Sequence, residues 1–121
     1  MAEHNELGRW GEDYATIWLR DKSYVIVERD WHSKHRDIDI IALDGNTMVF
    51  VEVRTRSSQF MSSGPFVFSQ EKRANVKRSI AHYLRSHHIT QPSRFDLIII
   101  IKSNNEAYPQ VQHIQGFRLF P

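Results

Sequence analysis

The segment from residue 37 to 56, DIDIIALDGNTMVFVEVRTR, restricts the fold more than any other. Two runs rich in β-branched residues flank Asp44, Gly45 and Asn46, the pattern of two antiparallel strands joined by a tight turn. Yet Asp39, Glu52, Arg54 and Arg56 sit inside those runs. Burying a charge is expensive unless something pairs with it, so these side chains need partners. Side chains alternate across a strand, which puts Met48, Phe50, Glu52, Arg54 and Arg56 on one face and Val49, Val51 and Val53 on the other. A turn at Gly45 and Asn46 sets Asp39 directly opposite Glu52. A turn at Asp44 and Gly45 sets Asp39 opposite Phe50 and diagonal to Glu52. Either register leaves the two carboxylates on one face, with directly opposite Cβ atoms about 5 Å apart. A three-residue loop without a bulge would separate them.

Two carboxylates that close repel each other unless a cation lies between them. A hard divalent ion meets that need, because Mg²⁺ takes one or two carboxylates and keeps water and substrate phosphate for its other positions. A basic side chain two residues beyond Glu52 would meet a phosphate at the same spot. The competing reading is a structural cross-strand ion cluster, such as Asp39 with Arg54.

The rest of the chain reads as one α/β domain over residues 1–121, without repeats or linkers. Leu7, Trp10, Tyr14, Ile17 and Trp18 recur at helical spacing and predict a helix over 4–21. Gly8 and Gly11 are poor helix formers, which suggests close backbone approach there or fraying at the helix start. Residues 24–30 predict a strand that precedes the hairpin, and 56–68 a loop carrying Phe60, Phe66 and Phe68. Ser69 is placed to cap a helix running to about Ser86, with Val76, Ile80, Tyr83 and Leu84 inward. The uniformly apolar RFDLIIIIK predicts a central strand covered on both faces, and residues 110–115 a last strand. The order is α-β-β-β-α-β-β, a mixed sheet flanked by helices.

Bulk composition bounds the function classes. A net charge of +2 does not by itself announce a nucleic-acid binder, so any basic surface must be local. Residues 72–85 supply a candidate: Lys72, Arg73, Lys77, Arg78 and Arg85, with Glu71 the acid beside them. A solvated helix face is the alternative. The chain has no cysteine, which excludes disulfides and thiolate metal sites and fits a reducing cytoplasm. The start lacks an apolar signal segment, and the aliphatic run from Leu97 to Ile101 is far too short to span a bilayer. The histidines at 32, 35, 82, 87 and 88 come without an HExxH element and do not favour zinc.

An acidic residue in one strand followed by Glu-x-Arg in the next resembles the Glu-x-Lys signature of PD-(D/E)XK nucleases. More closely, GRWGEDYA (8–15), RDIDIIALDGNTMVFVEVRTR (36–56), EKRANVKRSIAHYL (71–84) and RFDLIIII (94–101) resemble, in order, the YraN-like family of small uncharacterised bacterial proteins. That family is grouped with restriction-endonuclease-like folds and Holliday-junction resolvases. The resemblance implies a restriction-endonuclease-like core. It makes Asp39 and Glu52 the carboxylates for Mg²⁺ or Mn²⁺, adds the Val53 carbonyl as a metal contact, and brings Glu12 to the site from the first helix. Resolvase-like relatives often act as symmetric dimers, because a four-way junction has two equivalent strands to cut, so it also implies a homodimer.

The chain departs from the family at two places. Arg36-Asp37 stands where Gly-Glu is usual, and Arg54 stands at the motif lysine. Arginine stays protonated near neutral pH, so Arg54 can clamp a phosphate but cannot serve as a base. Lys72 is the available substitute, because it shares the helical stripe of Val76 and Ile80; snorkelling to solvent is its alternative. The resulting expectation is a metal-dependent endonuclease on DNA, branched DNA included. Asp39, Glu52, Arg54, Glu12 and Lys72 would form the catalytic set. Arg56, Arg73, Lys77 and Arg78 would hold flanking phosphates, and the loop phenylalanines would stack on an unpaired base or pack beneath the loop. The alternative is a nucleic-acid-binding domain that keeps the fold and has lost turnover, for which Arg54 is the argument. A protein-interaction domain with a purely structural charged hairpin is the third reading.

Overall fold

The computed structural model describes residues 2–57 and 68–120. Its elements run α1 (Ala2–Asp21), β1 (Val25–Ser33), β2 (Arg36–Asp44), β3 (Thr47–Ser57), α2 (Gln70–Ser86), β4 (Ser93–Lys102) and β5 (Gln110–Ile114). This is the element order expected from the sequence, with β1 extending three residues further than its apolar pattern suggested. The five strands form one sheet in the order β1-β2-β3-β4-β5. The β3–β4 pair is parallel and the other three are antiparallel. A parallel neighbour needs a crossover, and α2 provides it.

Alternation along the strands builds a core on each face. Ile40, Ala42, Val49, Val51, Ile98 and Ile100 face α1, where Ala15 and Leu19 close over them. Ile41, Met48, Phe50 and Phe95 face α2, where Val76 and Tyr83 cover them. The sheet is therefore sandwiched between the two helices, an arrangement consistent with a restriction-endonuclease-like core. No helix among the described residues is long and apolar enough to cross a membrane.

Gly11 explains how closely α1 sits. It is buried, and a Cβ there would collide with Thr55 Oγ1 on β3. Gly8 has open space around it, so close approach accounts for one glycine of the pair.

The C-terminal segment is anchored through Asp96, which is fully buried on β4. Its carboxylate accepts from Arg94 Nε (2.8 Å) and Nη2 (3.1 Å), and from the Gly116 N–H (3.1 Å). His113 Nε2 lies 2.8 Å away, and Trp18 Nε1 donates to Nδ1 on the other side of that ring (3.4 Å). Arg94 also reaches Asp44 and the Tyr24 hydroxyl. Burial alone would push the Asp96 carboxyl up. Hydrogen bonds from His113, Arg94 and the Gly116 amide outweigh it and hold the group below the usual carboxylate range.

Candidate functional site

The hairpin turns at Gly45 and Asn46, with Gly45 at φ +60°, the placement of glycine in a type II′ turn. Pairing runs from Asp44–Thr47 to Ile40–Val51, which is the first of the two registers considered above. The next step along that register is Asp39 with Glu52, and there regular pairing stops. Asp39 Oδ2 instead accepts the Val53 N–H at 2.8 Å, so the carboxylate takes a place that a backbone carbonyl would fill. The pleat is broken at this point. Ile38 packs with the α2-side core although Ile40, two residues on, packs with the α1-side core. β1 shows the matching irregularity: pairs on either side set Asp30 across from Asp39, and Asp30 has φ +51°. Two adjacent strands thus kink together, which brings Asp39 within reach of charged groups from both layers.

Glu52 is buried on the α2 face, two residues beyond Phe50. Its Oε2 meets Arg54 Nη2 at 3.0 Å and Lys72 Nζ at 3.5 Å. Lys72 reaches the site for a simple reason. Ser69 caps α2 by accepting the Lys72 N–H at 3.0 Å, which fixes the register that aligns Lys72 with buried Val76 and Tyr83. Even with two cations beside it, burial raises the Glu52 carboxyl above its ordinary value. Asp39 is pushed up to about 7, first by burial and then by the Glu52 charge, against the opposing Val53 amide and Lys72.

Glu12 approaches from α1. Burial pushes its carboxyl up to about 7, and a hydrogen bond with Asp30 and the charges of Asp30 and Asp39 add to the effect. Its Oε1 is buried without a hydrogen-bond partner. Arg29 Nε stands 3.6 Å away, an ion-pair distance, while Arg29 gives its hydrogen bond to Asp13 at 2.7 Å. Three carboxyl groups thus gather beside two cations, Arg54 and Lys72, and every acidic group of the set offers oxygen. A hard divalent cation at such oxygens would favour their ionised forms. Among the described residues no three Asp, Glu or His side chains form a ready-made cage, so an ion here would complete its shell with water or substrate.

Five of the sequence-derived residues are thus brought together: Asp39, Glu52, Arg54, Lys72 and Glu12, with Val53 joined through its amide. The basic residues assigned to flanking phosphates divide. Arg56 is exposed and donates to the Thr55 carbonyl at 2.9 Å. Lys77 and Arg78 are exposed on α2, where Lys77 sits 5.1 Å over the Phe120 ring and Arg78 bonds Asn75. Arg73 is the correction. Its guanidinium is committed to the carbonyls of Phe68, Arg118 and Leu119, which ties the C-terminal segment to α2. Phe60 and Phe66 lie outside the described residues, and Phe68 is buried between core rings. Asp30 is the residue that the sequence reading missed. Alternation placed it at a strand end, and only its left-handed backbone turns it toward Glu12; a charged residue just before Trp31 was the available hint.

Residues 11–100 match the model of the uncharacterised protein family UPF0102. A UPF0102 protein of Christiangramia forsetii is 41% identical over 116 residues, covering 95% of each chain. One from Porphyromonas gingivalis is 35% identical over 93% of this chain and 84% of its own. One from Leifsonia xyli is 36% identical over 96% of this chain and 98% of its own.

Proposed function

The chain belongs to the uncharacterised protein family UPF0102, and from that premise we propose that it hydrolyses phosphodiester bonds in DNA with a divalent cation, Mg²⁺ or Mn²⁺, held by Asp39 and Glu52. The observation that carries this reading is the meeting at Glu52 Oε2 of two cations, Arg54 at 3.0 Å and Lys72 at 3.5 Å, beside a second, half-buried carboxylate, Asp39. Oxygen donors from three carboxyl groups, among them the unsatisfied Glu12 oxygen, suit a hard ion. When bound, such an ion lowers the pKa of a ligated water and polarises the scissile phosphate.

The protein's own residues do the rest. The Val53 amide fixes the direction of the Asp39 carboxylate. Arg54 offsets charge on the phosphate but keeps its proton. Lys72 stands where the motif lysine would be needed and reaches it from another element; its ammonium can donate a proton to a leaving oxygen or hold the phosphate in line. Glu12, its carboxyl raised to about 7, can hold or release a proton near neutral pH and approaches Asp39 from α1. A junction with two equivalent strands makes a homodimer the natural working unit. A chain with no cysteine loses nothing in the reducing cytoplasm, where this reading puts it.

Incubation with linear and four-way-junction DNA in Mg²⁺ and in Mn²⁺ tests the proposal. Cleavage by the wild-type protein, and its loss in Glu52→Ala with circular dichroism unchanged, is the expected result. Binding without cutting in either metal would instead support a non-catalytic nucleic-acid-binding domain. The Arg54–Glu52 ion pair, at the position of the motif lysine, is the observation that favours that second reading.

A further inference from the structure

Two hollows lie side by side along α2, away from the carboxylates, separated by Leu119 of the C-terminal segment. The larger, of about 390 Å³, is lined by Gln70, Arg73, Arg118, Leu119 and Phe120. The smaller, of about 210 Å³, continues past Lys77 and Ile80 to the start of β4. Among the described residues lining either hollow there is no carboxylate. Apolar walls and one sign of charge make an unusual combination on a chain whose net charge is only +2.

The buried Phe68 ring is a neighbour common to the groove and the carboxylate site: Arg54, which pairs with Glu52, stands 5.7 Å from it, and Arg73, which lines the larger hollow, stands 5.5 Å from it. Lys72 and Arg73, consecutive in the first turn of α2, divide between the two sites in the same way. The aromatic surface at the far end is Phe120, 38% exposed, with Lys77 over one face of its ring at 5.1 Å.

We propose that this groove binds a single-stranded nucleic acid, with Arg118 and Lys77 on the phosphates and Phe120 as the surface on which a base stacks. The proposal rests on the nuclease reading and deepens it by naming the substrate as DNA with a single-stranded arm beside the cleavage site. A duplex keeps its base faces hidden, so it cannot use Phe120. A single strand offers both the polyanion and the ring faces that the groove is built to meet. Arg73, held by three backbone carbonyls, adds a fixed positive charge to the floor without having to swing out.

Fluorescence anisotropy with a labelled oligothymidylate, in EDTA so that nothing is cut, tests this directly. The wild-type protein is expected to prefer the single strand to a hairpin duplex of equal charge. Arg118→Ala and Lys77→Ala should each reduce the slope of log K against log salt by about 0.7. Phe120→Ala should weaken binding about tenfold, and Phe120→Trp should preserve or tighten it, which separates stacking from any loss of packing. Wild-type affinity and salt slope in all three truncations would overturn the proposal. So would equal competition by polyglutamate, which would mark the groove as a seat for an acidic protein segment. The two proposals fail separately. Absent cleavage with intact oligothymidylate binding sinks only the nuclease reading, whereas intact cleavage with groove variants that bind normally sinks only this one.

Discussion

Asp96 and Asp39 are aspartates of the same sheet, Asp96 fully buried and Asp39 half-buried, and their surroundings could hardly differ more. Asp96 is encircled by Arg94, His113 and the Gly116 amide, and these hold its carboxyl below the ordinary range. Asp39 has one backbone donor and faces Glu52, and its carboxyl is driven up to about 7. A buried charge with every lone pair answered serves the fold. A buried charge left facing another of the same sign costs stability, and such costs gather at sites with chemical work to do. The contrast sets a structural anion, Asp96, apart from Asp39, the anion that the proposed function assigns to the metal.

The largest expected effect lies on the structural side. Asp96→Ala leaves the Arg94 guanidinium with Asp44 and Tyr24 alone, strands the His113 ring and releases the Gly116 amide. Breaking a buried pair in that way costs about 3–5 kcal/mol, and urea denaturation should show a loss of that size. The pH dependence has a definite sign. A depressed folded-state pKa contributes stability above the unfolded value, and that contribution disappears as acid titrates through the lower folded value. A loss below about 1 kcal/mol would mean that Asp96 is not the anchor described here.

This anchor was the least legible part of the sequence. Asp96, His113 and Gly116 are joined by a short antiparallel return, and Tyr24 and Trp18 enter from the other end of the chain, so no local pattern points to the cluster. RFDLIIIIK was readable as a covered strand, but the purpose of its charged start was not. The hairpin was legible because it is local: Gly45 and Asn46 fix the turn, and the turn fixes which residues oppose each other. Lys72 was legible for a similar reason, since helical spacing alone ties it to Val76 and Ile80. The break in the pleat at Asp30 and Asp39 was not, because strict alternation was the assumption behind the reading. Arg73 looked like a free phosphate ligand in sequence, and only the tertiary return of the C-terminal segment claims it.

A smaller effect of opposite sign is expected at Asp39. Asp39→Asn keeps an oxygen to accept the Val53 N–H while removing the charge that opposes Glu52. The raised carboxyl binds its proton more tightly in the folded state, so the wild-type protein should lose stability as pH rises from about 4, the unfolded value, to about 7. The variant should flatten that decline and be more stable than wild type at pH 8, by on the order of 1 kcal/mol. Thermal melts at several pH values in EDTA measure both. Added Mg²⁺ should stabilise the wild-type protein and leave Asp39→Asn unmoved. A variant less stable than wild type at pH 8 would place Asp39 with Asp96, as a structural anion.

The smallest effect on stability, and the sharpest separation of fold from chemistry, is expected at Lys72. It is the third residue of α2, in the first turn, where the helix dipole disfavours a cation. The same position, three residues after the capping Ser69, favours Glu or Gln, which would close a capping box with the serine. Lys72→Gln therefore gains local helix stability while removing one of two cations from Glu52, an ion pair that is 31% exposed on the lysine side. The two changes oppose each other, so the melting free energy should move by less than about 1 kcal/mol. If Lys72 holds or protonates the scissile phosphate, DNA cleavage in saturating Mg²⁺ should nevertheless fall about 100-fold. Arginine at the same position should restore phosphate binding but not turnover, because it cannot give up a proton. A Lys72→Gln protein that cuts DNA at the wild-type rate would leave Arg54 as the working cation and reduce Lys72 to a neighbour of Glu52.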